Sequence, residues 1–302
     1  MDLKINCAGI VTYNPVISVL KRNIDAIYKN TDQIVIADNN SNNIKEIVML
    51  ITNYEKVKLL ELEKNYGIAY ALNKIVEEAK NKGFDWVMLL DQDSECDKNI
   101  FIKYNNFLLE HYNKKIALLT PYIIDINKMT IDDYSLLKLP EYSKVSFAIT
   151  SASLINIDIY EKIGKFDNQL FIDCVDMDYS KRLELNGYEQ IRINNTYLLQ
   201  QVGNAEKTKI LRIHKDNAGN VTIMPYYRTN HSLMRQYYIA RNNIIMIKRY
   251  FVGIEKIKQS IFVFFYLFTK LFVEKDKIKL TKTIGKGVVD GMNYAVKPYR
   301  MR

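Results

Sequence analysis

Residues 84–94 read Phe84-Asp85-Trp86-Val87-Met88-Leu89-Leu90-Asp91-Gln92-Asp93-Ser94, an almost wholly apolar run that ends in a polar cluster. Such a run is typical of a central parallel β-strand that is covered on both faces. In sheets built from such strands, ligands bind beyond the carboxyl ends of the strands. Two carboxylates, Asp91 and Asp93, come at this point, so the sequence predicts a functional site there.

The chain before this run alternates between short apolar segments and amphipathic segments. The predicted strands cover residues 3–13, 33–38, 56–62 and 84–90, and the predicted helices cover residues 16–29, 44–53 and 67–82. The helices follow from apolar residues that recur with a period near 3.6. This β-α-β-α order predicts a parallel sheet with right-handed crossovers.

After residue 115 the alternation becomes less regular. Strands are predicted at residues 116–125, 145–156 and 189–201, with a turn signal at Asn194-Asn195. Helices are predicted at 158–164, 175–187, 229–248 and 253–272, and one helix or a pair of helices at 280–296. The predicted fold class is α/β, a Rossmann-like, mostly parallel sheet flanked by helices, with a C-terminal helical extension. We expect one α/β domain over residues 1–245 and a basic, aromatic-rich helical segment over residues 246–302.

The surplus of positive charge is confined to one end of the chain. The 302 residues contain 43 Lys and Arg against 34 Asp and Glu, a formal net charge of +9. Residues 241–302 hold 14 basic and 4 acidic residues, which leaves 29 basic and 30 acidic residues in the rest. A near-neutral body argues against nucleic-acid binding, whereas the basic end favours a local contact with an anionic partner.

The remaining composition points to a globular protein in a reducing compartment. Hydrophobic residues make up 48% and charged residues 25% of the chain, which excludes the disordered and fibrous classes. The three Cys are far apart and only three His are present, so a disulfide framework or structural zinc site is poorly supported. The first apolar run is too short for a signal peptide, and the apolar stretch 260–273 is interrupted by Lys270. We expect a cytoplasmic protein, peripheral at the inner face of the plasma membrane.

Four polar clusters follow predicted strands and should therefore lie along one edge of the sheet. They are Thr12-Tyr13-Asn14-Pro15, Asp38-Asn39-Asn40-Ser41, Asn65-Tyr66-Gly67 and Asp91-Gln92-Asp93-Ser94. The chain has no GxGxxG and no GxxxxGK[ST], which disfavours dinucleotide oxidoreductases and P-loop kinases.

Each cluster has a structural and a functional interpretation. Asp91 and Asp93 could form a solvated turn, or could bind a divalent cation that also takes phosphate oxygens. Asp38 could cap the next helix, or could accept hydrogen bonds from a base or ribose. Gly67 could sit in a left-handed loop, or could let a diphosphate approach the backbone.

A second acidic group occurs at residues 166–178, where four Asp lie within twelve residues and are interleaved with apolar residues. Asp176 and Asp178 precede an amphipathic helix. They could cap that helix and complement its dipole. Alternatively, one of them could be a general base that faces the metal–phosphate site.

Together these motifs, in this order and spacing over residues 5–250, resemble a known family. The motifs are Val11-Thr12-Tyr13-Asn14, Asp38-Asn39-Asn40-Ser41, Asn65-Tyr66-Gly67-Ile68-Ala69 with Asn73, Leu90-Asp91-Gln92-Asp93-Ser94, Phe166-Asp167, Phe171-Ile172-Asp173, Val175-Asp176-Met177-Asp178 with Arg182 and Gly187, and Arg235-Gln236-Tyr237-Tyr238-Ile239-Ala240-Arg241-Asn242. The chain resembles the inverting glycosyltransferases of family 2, which have a GT-A fold. The Asp-Gln-Asp-Ser form and the segment at 237–242 make it most similar to the rhamnosyltransferase branch.

The resemblance implies a donor-binding role for several of these residues. Thr12 and Asp38 would contact the nucleoside part of the donor, and Asn14 would also bind the donor. Asn65 and Gly67 would shape the same pocket.

The resemblance also implies the reacting groups. Asp91 would lie near the donor ribose or sugar, Asp93 would bind Mg²⁺ or Mn²⁺ on the diphosphate, and Asp176 would be the catalytic base. Arg235 would counter the diphosphate or hold a closing loop. Relatives often have His before Gly where this chain has Gln200-Gln201-Val202-Gly203. If that His binds the metal or the acceptor in relatives, His231 or His214 could replace it here, or the chain could lack this function.

The implied activity is an inverting transfer of a sugar, L-rhamnose from dTDP-rhamnose, onto a glycan or lipid-linked saccharide in bacterial surface polysaccharide synthesis. Two alternatives stay open at this point. The donor could instead be a UDP-hexose or UDP-N-acetylhexosamine, or the chain could be a catalytically silent nucleotide-sugar-binding scaffold. The formation of homo-oligomers is left open, and a nucleic-acid partner is not expected.

The C-terminal segment combines Lys with an aromatic-rich helix around residues 262–272. It could pack on the body or on a second subunit with a solvated basic face. It could also lie on an anionic membrane surface, where each basic residue near the headgroups contributes about 1 kcal/mol.

Overall fold

The computed structural model describes residues 3–127, 129–200, 206–215, 221–228, 230–274 and 276–299. The chain divides into two compact units. Of the described residues, the first contains those within 3–171 and 175–200, and the second contains 172–174 and those within 206–299.

The described residues of the first unit form a mixed sheet with helices. Its strands are β1 (Cys7–Thr12), β2 (Gln33–Asp38), β3 (Val57–Glu61), β4 (Trp86–Asp91), β5 (Glu95–Cys96), β6 (Ile116–Asp125), β7 (Tyr142–Val145), β8 (Ser153–Asn156) and β9 (Glu189–Gln200). Its helices are α1 (Ile17–Tyr28), α2 (Ile44–Ile51), α3 (Ile68–Asn81), α4 (Ile100–His111), α5 (Ile131–Ser135), α6 (Ile157–Ile163) and α7 (Val175–Leu185), with a short 3-10 helix at Asn168–Leu170.

The sheet has the strand order β3-β2-β1-β4-β8-β6-β9-β5, and β7 pairs with β9. The pairs β3–β2, β2–β1, β1–β4 and β6–β9 are parallel. The pairs β4–β8, β8–β6, β9–β5 and β7–β9 are antiparallel. The predicted α/β fold with a mostly parallel sheet is therefore confirmed for the β3-β2-β1-β4 half, and antiparallel pairs enter only beyond β4.

The core explains why the apolar runs form central strands. All six residues of β1 and the first five residues of β4 are buried, as expected for strands covered on both faces. Helices α1 and α3 each bury one apolar stripe against the sheet, with Leu20, Ile24, Ile75 and Val76 at 0% exposure. This packing fixes the carboxyl ends of the parallel strands at one edge.

Two predictions in the second half of the unit differ from the structure. Residues 145–156 do not form one strand, because β7 ends at Val145 and β8 begins only at Ser153. Ala152, between them, has a left-handed φ of 57°, which no strand continues through. The turn predicted at Asn194-Asn195 is instead an irregularity within β9, where Pro121 pairs with Ile193 but Tyr122 pairs with Tyr197.

The second unit consists of a β-hairpin and three helices among its described residues. They are β10 (Glu206–Lys215), β11 (Val221–Arg228), α8 (Leu233–Tyr250), α9 (Gly253–Val273) and α10 (Lys277–Asn293). The helices share a small core that contains Ile239, Val263, Leu267, Leu280 and Ile284. The C-terminal helices are thus confirmed, whereas the hairpin was not predicted.

The predicted division at residue 245 stays a prediction, and α8 runs continuously through that position. None of the helices within the described residues is long and apolar enough to cross a lipid bilayer.

Candidate active site

The polar clusters meet at the carboxyl edge of β2, β1 and β4. Thr12 pairs with Asp38 in the register of β1 and β2, and Val11 pairs with Asp91 in the register of β1 and β4. The first and fourth clusters are joined because the backbone N of Tyr13 donates to Oε1 of Gln92 at 2.7 Å. Hydrogen bonds therefore connect the polar residues along this edge of the sheet.

Asn14 joins the first cluster to the second. Its backbone N donates to Oγ of Ser41 at 2.7 Å, and its Oδ1 accepts a hydrogen bond from the backbone N of Asn42 at 2.7 Å. Its φ of 48° is left-handed, a conformation that Asn tolerates better than most residues. The donor contact expected of Asn14 stays a prediction.

Asp38 is buried, and both of its carboxylate oxygens are engaged inside the protein. Oδ1 accepts hydrogen bonds from Oγ1 of Thr12 at 2.8 Å and from Oγ of Ser41 at 2.5 Å. Oδ2 accepts one from the backbone N of Ser41 at 2.7 Å. Thr12 and Asp38 are exposed by 0% and 1%. In this structure the pair fixes β1 to β2, and its contact with a nucleoside stays a prediction.

Asn39 and Asn65 organise the third cluster. Oδ1 of Asn39 accepts from the backbone N of Tyr66 at 3.3 Å, and Oδ1 of Asn65 accepts from the backbone N of Gly67 at 2.9 Å. Next to this turn, the rings of Tyr66 and Tyr70 stack with their centroids 4.5 Å apart. The third cluster is thereby held beside the second, as its position in the sequence predicts.

The space beside Gly67 is filled by the backbone of Phe171. Gly67 has φ 88° and ψ 169°, a combination that is essentially restricted to glycine. A Cβ added at this position would lie 2.5 Å from the O and 2.8 Å from the Cα of Phe171. The next backbone N, that of Ile68, donates to the same O at 2.7 Å. Gly67 thus allows α3 to approach the segment before α7, a reason that the sequence did not reveal.

Asp91 and Asp93 end β4 in different surroundings. The backbone N of Asp91 donates to Oγ of Ser151 at 3.2 Å, and its O accepts from Nδ2 of Asn23 at 2.7 Å. The side chain of Asp91 is half-buried, whereas Asp93 is exposed. Asp93 therefore offers its carboxylate to solvent at the sheet edge.

A divalent cation fits this donor chemistry. The described residues contain no cluster of three or more His, Cys, Asp or Glu side chains that could enclose a metal by themselves. Mg²⁺ is commonly held by one or two carboxylates, with substrate phosphates and water completing the shell. The exposed carboxylate of Asp93 suits this open mode of binding.

The two acids at the start of α7 have different surroundings. Asp178 is 1% exposed and forms an ion pair with Arg182 at 2.9 Å, and Arg182 also donates to the backbone carbonyls of residues 163–165. Asp176 is half-buried in the first helical turn. Of the two candidates for a general base, Asp178 is part of a buried structural network. Asp176 is therefore the better candidate.

Asn73 is a structural residue whose role the sequence did not indicate. Its Nδ2 donates to the O of Phe166 at 2.9 Å and to Oδ1 of Asn168 at 2.7 Å. Its Oδ1 accepts from the backbone N of Phe166 at 3.0 Å and from the hydroxyl of Tyr160. Asn73 on α3 therefore holds the segment that leads toward Phe171.

In the second unit, Arg235 on α8 forms a two-pronged ion pair with Asp173. Its Nε and Nη2 lie 3.1 to 3.2 Å from the carboxylate oxygens. Nδ2 of Asn242, also on α8, donates to the O of Ile172 and the O of Asp173, both at 2.9 Å. Asp173 and Cys174 both have φ of 63°, so α8 stabilises a strained backbone. A role of Arg235 toward the donor stays a prediction.

Of the two candidates for the metal- or acceptor-binding histidine, only His231 has a side chain within the described residues. Residues Gln201, Val202 and Gly203 and the side chain of His214 lie outside them. His231 is described, and burial lowers its pKa to about 4, with Arg235 and Lys270 contributing. His231 is therefore neutral at physiological pH.

A model of the family described as "Glycosyl transferase family 2" matches residues 7–164, a stretch that contains β1 to β4 and their polar edge. The chain belongs to this family. With its mixed sheet and flanking helices it has a GT-A-like fold, and it is a glycosyltransferase that takes a nucleotide-sugar donor.

The chain is similar over most of its length to one curated protein. It is 27% identical over 301 residues, covering 94% of each chain, to the "dTDP-rhamnosyl transferase RfbF" of Shigella flexneri.

Solved structures with the same fold are more distant in sequence. The structure of TarS residues 1–349 from S. aureus has a TM-score of 0.58 at 14% identity and covers 95% of this chain and 80% of that one. The structure of GalNAc-T7 with UDP, GalNAc and Mn²⁺ has a TM-score of 0.53 at 16% identity, covering 66% of this chain. The chain spans only 44% of the length of GalNAc-T7. At these identities the likeness establishes the fold alone.

Proposed function

We propose that the protein is an inverting rhamnosyltransferase that moves L-rhamnose from dTDP-rhamnose onto a saccharide or lipid-linked saccharide of a bacterial surface polysaccharide. The observation that carries the choice of donor is the similarity to the dTDP-rhamnosyl transferase of Shigella flexneri over 94% of both chains. The conclusion that transfer is catalysed, rather than only donor binding, rests on Asp93 and Asp176. Both are acidic side chains that the fold leaves at least partly accessible.

In the proposed reaction Asp176 takes the proton from an acceptor hydroxyl while that oxygen attacks the anomeric carbon. A single attack on one face of the sugar inverts the anomeric configuration. A bound Mg²⁺ or Mn²⁺ supplies positive charge that stabilises the diphosphate leaving group. Asp93 would hold this metal, and the hydrogen-bonded edge around Asp38 and Asn65 would shape the donor pocket.

The first test replaces Asp176 by Asn, which keeps the size of the side chain and removes its basicity. Loss of a general base typically slows the chemical step by about 10²–10⁴-fold. We therefore expect Asp176→Asn to lose transfer from dTDP-rhamnose to synthetic lipid-linked saccharides while the Kd for dTDP-rhamnose is unchanged. Asp158→Asn is the matched control, because Asp158 also lies in the first turn of a helix, α6, and is exposed. Near-normal turnover in Asp176→Asn would remove Asp176 from the role of base.

The second test addresses the metal. Asp93→Ala should weaken the binding of dTDP-rhamnose only when Mg²⁺ or Mn²⁺ is present, because the lost carboxylate acts through the cation. Isothermal titration with and without metal measures this difference. An unchanged affinity in the presence of metal would remove Asp93 as a ligand.

The third test separates the donor alternatives. A ligand that binds only the folded chain stabilises it by about 2.7 kcal/mol at a hundredfold excess over its Kd. In a thermal-shift comparison with metal, dTDP-rhamnose should stabilise the protein more than UDP-glucose or UDP-N-acetylglucosamine. A larger thermal shift with a UDP-sugar would indicate that the donor is that UDP-sugar and not dTDP-rhamnose. Tight donor binding with no transfer to any acceptor would favour the silent scaffold.

A further inference from the structure

Helix α9 carries a continuous apolar stripe that faces solvent. Residues at helical spacing along one side of this helix are between 46% and 74% exposed. These residues, called the α9 stripe below, are Ile254, Ile257, Ile261, Phe264, Phe265, Phe268 and Phe272. The ring centroids of Phe264 and Phe268 are 6.0 Å apart and those of Phe268 and Phe272 are 4.8 Å apart. Large contiguous apolar patches are rare on soluble proteins unless something binds to them.

The stripe is not the side of α9 that builds the core of the second unit. That core is formed by Val263 and Leu267, which are 5% and 6% exposed and pack with residues of α8 and α10. On an α-helix, Val263 and Leu267 lie roughly opposite Ile261, Phe265 and Phe268. The helix is therefore apolar on two sides, and only one side has a partner within the described residues.

The charges around the stripe indicate which partner would suit it. On α9, α10 and the residue that precedes α10, six Lys side chains are exposed, against two exposed acidic side chains. The exposed Lys are Lys256, Lys258, Lys277, Lys279, Lys282 and Lys286. The exposed acids are Glu255 and Asp276, and Glu255 lies 3.8 Å from Lys258. The exposed surface of this helix pair is thus both apolar and strongly basic.

This combination favours an anionic surface over a second copy of the chain. Two copies would bring together two segments that each hold 14 basic and 4 acidic residues, and like charges repel. An anionic bilayer instead attracts the Lys side chains while its acyl boundary takes up the aromatic and aliphatic side chains. Phe and Ile on one face with Lys beside them is the composition of helices that lie in the bilayer interface.

We propose that the α9 stripe docks the protein on an anionic phospholipid bilayer, with α9 lying in the interface and the exposed Lys of α9 and α10 contacting the headgroups. The proposal stands on the second unit alone and is independent of the donor or the catalytic base. It places the chain at the surface where a lipid-linked saccharide would be met.

The test is flotation of the full chain with vesicles of phosphatidylcholine containing a quarter phosphatidylglycerol, compared with vesicles of phosphatidylcholine alone. Wild-type protein should float with the anionic vesicles and much less with the neutral ones. The triple substitution Phe264→Ser, Phe265→Ser and Phe268→Ser should weaken this binding about tenfold or more.

A charge variant tests the second half of the proposal. Lys256→Gln, Lys258→Gln and Lys282→Gln together should also weaken binding to anionic vesicles, and high salt should weaken wild-type binding in the same way. Circular dichroism should show unchanged melting for both triple variants, since every substituted side chain is exposed.

The matched control removes exposed apolar side chains elsewhere. Met49→Ser, Leu109→Ser and Leu136→Ser replace residues that are 68% to 79% exposed, and this variant should bind vesicles like wild type. Equal flotation of wild type and the Phe variant would overturn the proposal. A wild-type dimer by light scattering that becomes a monomer in the Phe variant, without vesicle binding in either, would also overturn it and make the stripe a contact between copies.

Discussion

Gly67 and Gly83 share a left-handed backbone but differ in their surroundings, which makes them a matched pair. Gly67 has φ 88° with the backbone of Phe171 in the place of a side chain, whereas Gly83 has φ 78° with no atom within 4 Å of an added Cβ. Gly67→Ala should therefore lower the free energy of unfolding by about 3–5 kcal/mol, because it adds both backbone strain and a clash with the backbone of Phe171. Gly83→Ala should lower it by about 1–2 kcal/mol, because it adds backbone strain alone.

Urea denaturation of both variants measures the difference between these two costs. Because Phe171 precedes the segment that leads to Asp176, we also expect Gly67→Ala to lower turnover and Gly83→Ala to leave it unchanged. Equal destabilisation of the two variants would mean that Phe171 moves aside at little cost, and that α3 does not depend on this close approach.

At the level of single residues, the sequence predicts which acidic residues lie at the site but not which of them are structural and which are accessible to a ligand. Asp38, Asp93, Asp176 and Asp178 all stand at predicted strand ends or helix starts. Only the folded chain shows that Asp38 and Asp178 are buried among internal partners, while Asp93 is exposed. Partners such as Arg182 can be recognised as partners only when the chain is folded, so spacing alone left these alternatives open.

At the level of elements, α3 acts as a support for the segment that precedes α7. Asn73 in the middle of α3 satisfies four hydrogen-bonding groups of residues 160–168, and the start of α3 contacts Phe171. Asn73→Asp would place an acceptor oxygen against the O of Phe166 and Oδ1 of Asn168, in a site that is 9% exposed. We expect a loss of about 2–4 kcal/mol, because acceptor oxygens would face each other and a carboxylate would be buried in place of a neutral amide.

Enzyme kinetics of Asn73→Asp would distinguish a residue that positions the active site from one that only stabilises the fold. With Asn73→Asp still folded at low temperature, turnover should fall while the Kd for the donor changes little, because residues 166–171 lead into the helix that carries Asp176. Asn81→Asp, at the exposed end of the same helix, is the control and should cost less than about 1 kcal/mol. Full turnover in folded Asn73→Asp would leave Asn73 with a purely structural role.

The elements that could be predicted are those whose residues repeat with a clear period. Strands β1 to β4 and helices α1 to α3 agree with their predicted ranges to within a few residues, because apolar runs and 3.6-residue stripes specify them. The break between β7 and β8 was missed, since a left-handed Ala152 has no signature in sequence. Helix α5 was missed as well, because its five residues are all at least partly exposed and only the capping box of Thr130 and Asp133 marks it.

At the level of the whole molecule, composition alone could not reveal how the chain divides. The unit boundary is discontinuous, since Ile172–Cys174 belongs with α8 to α10 although it lies between segments of the first unit. The contacts responsible are an ion pair of Arg235 and two hydrogen bonds of Asn242 to backbone oxygens. The change in charge composition near residue 241 marks the basic helices, but it cannot show that the side chains of Arg235 and Asn242 bind Ile172 and Asp173.

His231, which is neutral in the folded second unit, should contribute to the pH dependence of the free energy of unfolding. Burial, with Arg235 and Lys270, lowers its pKa from 6.5 to about 4. Between these values the unfolded chain binds a proton at His231 that the folded chain does not, so its stabilising effect is complete above about pH 6.5 and is lost toward pH 4. Discounted for solvent screening, this amounts to about 1 kcal/mol, or about 2–4 °C in Tm.

His231→Gln removes the titrating group and keeps a side chain of similar size. Between pH 7.5 and pH 4.5 the Tm of wild type should fall by more than the Tm of His231→Gln, and by about the amount attributed to His231. Every other titrating group is common to both proteins, so the difference between their Tm curves isolates this one side chain. Parallel curves across the window would show that His231 is protonated in the folded chain as readily as in the unfolded one, and would contradict its burial beside Arg235 and Lys270.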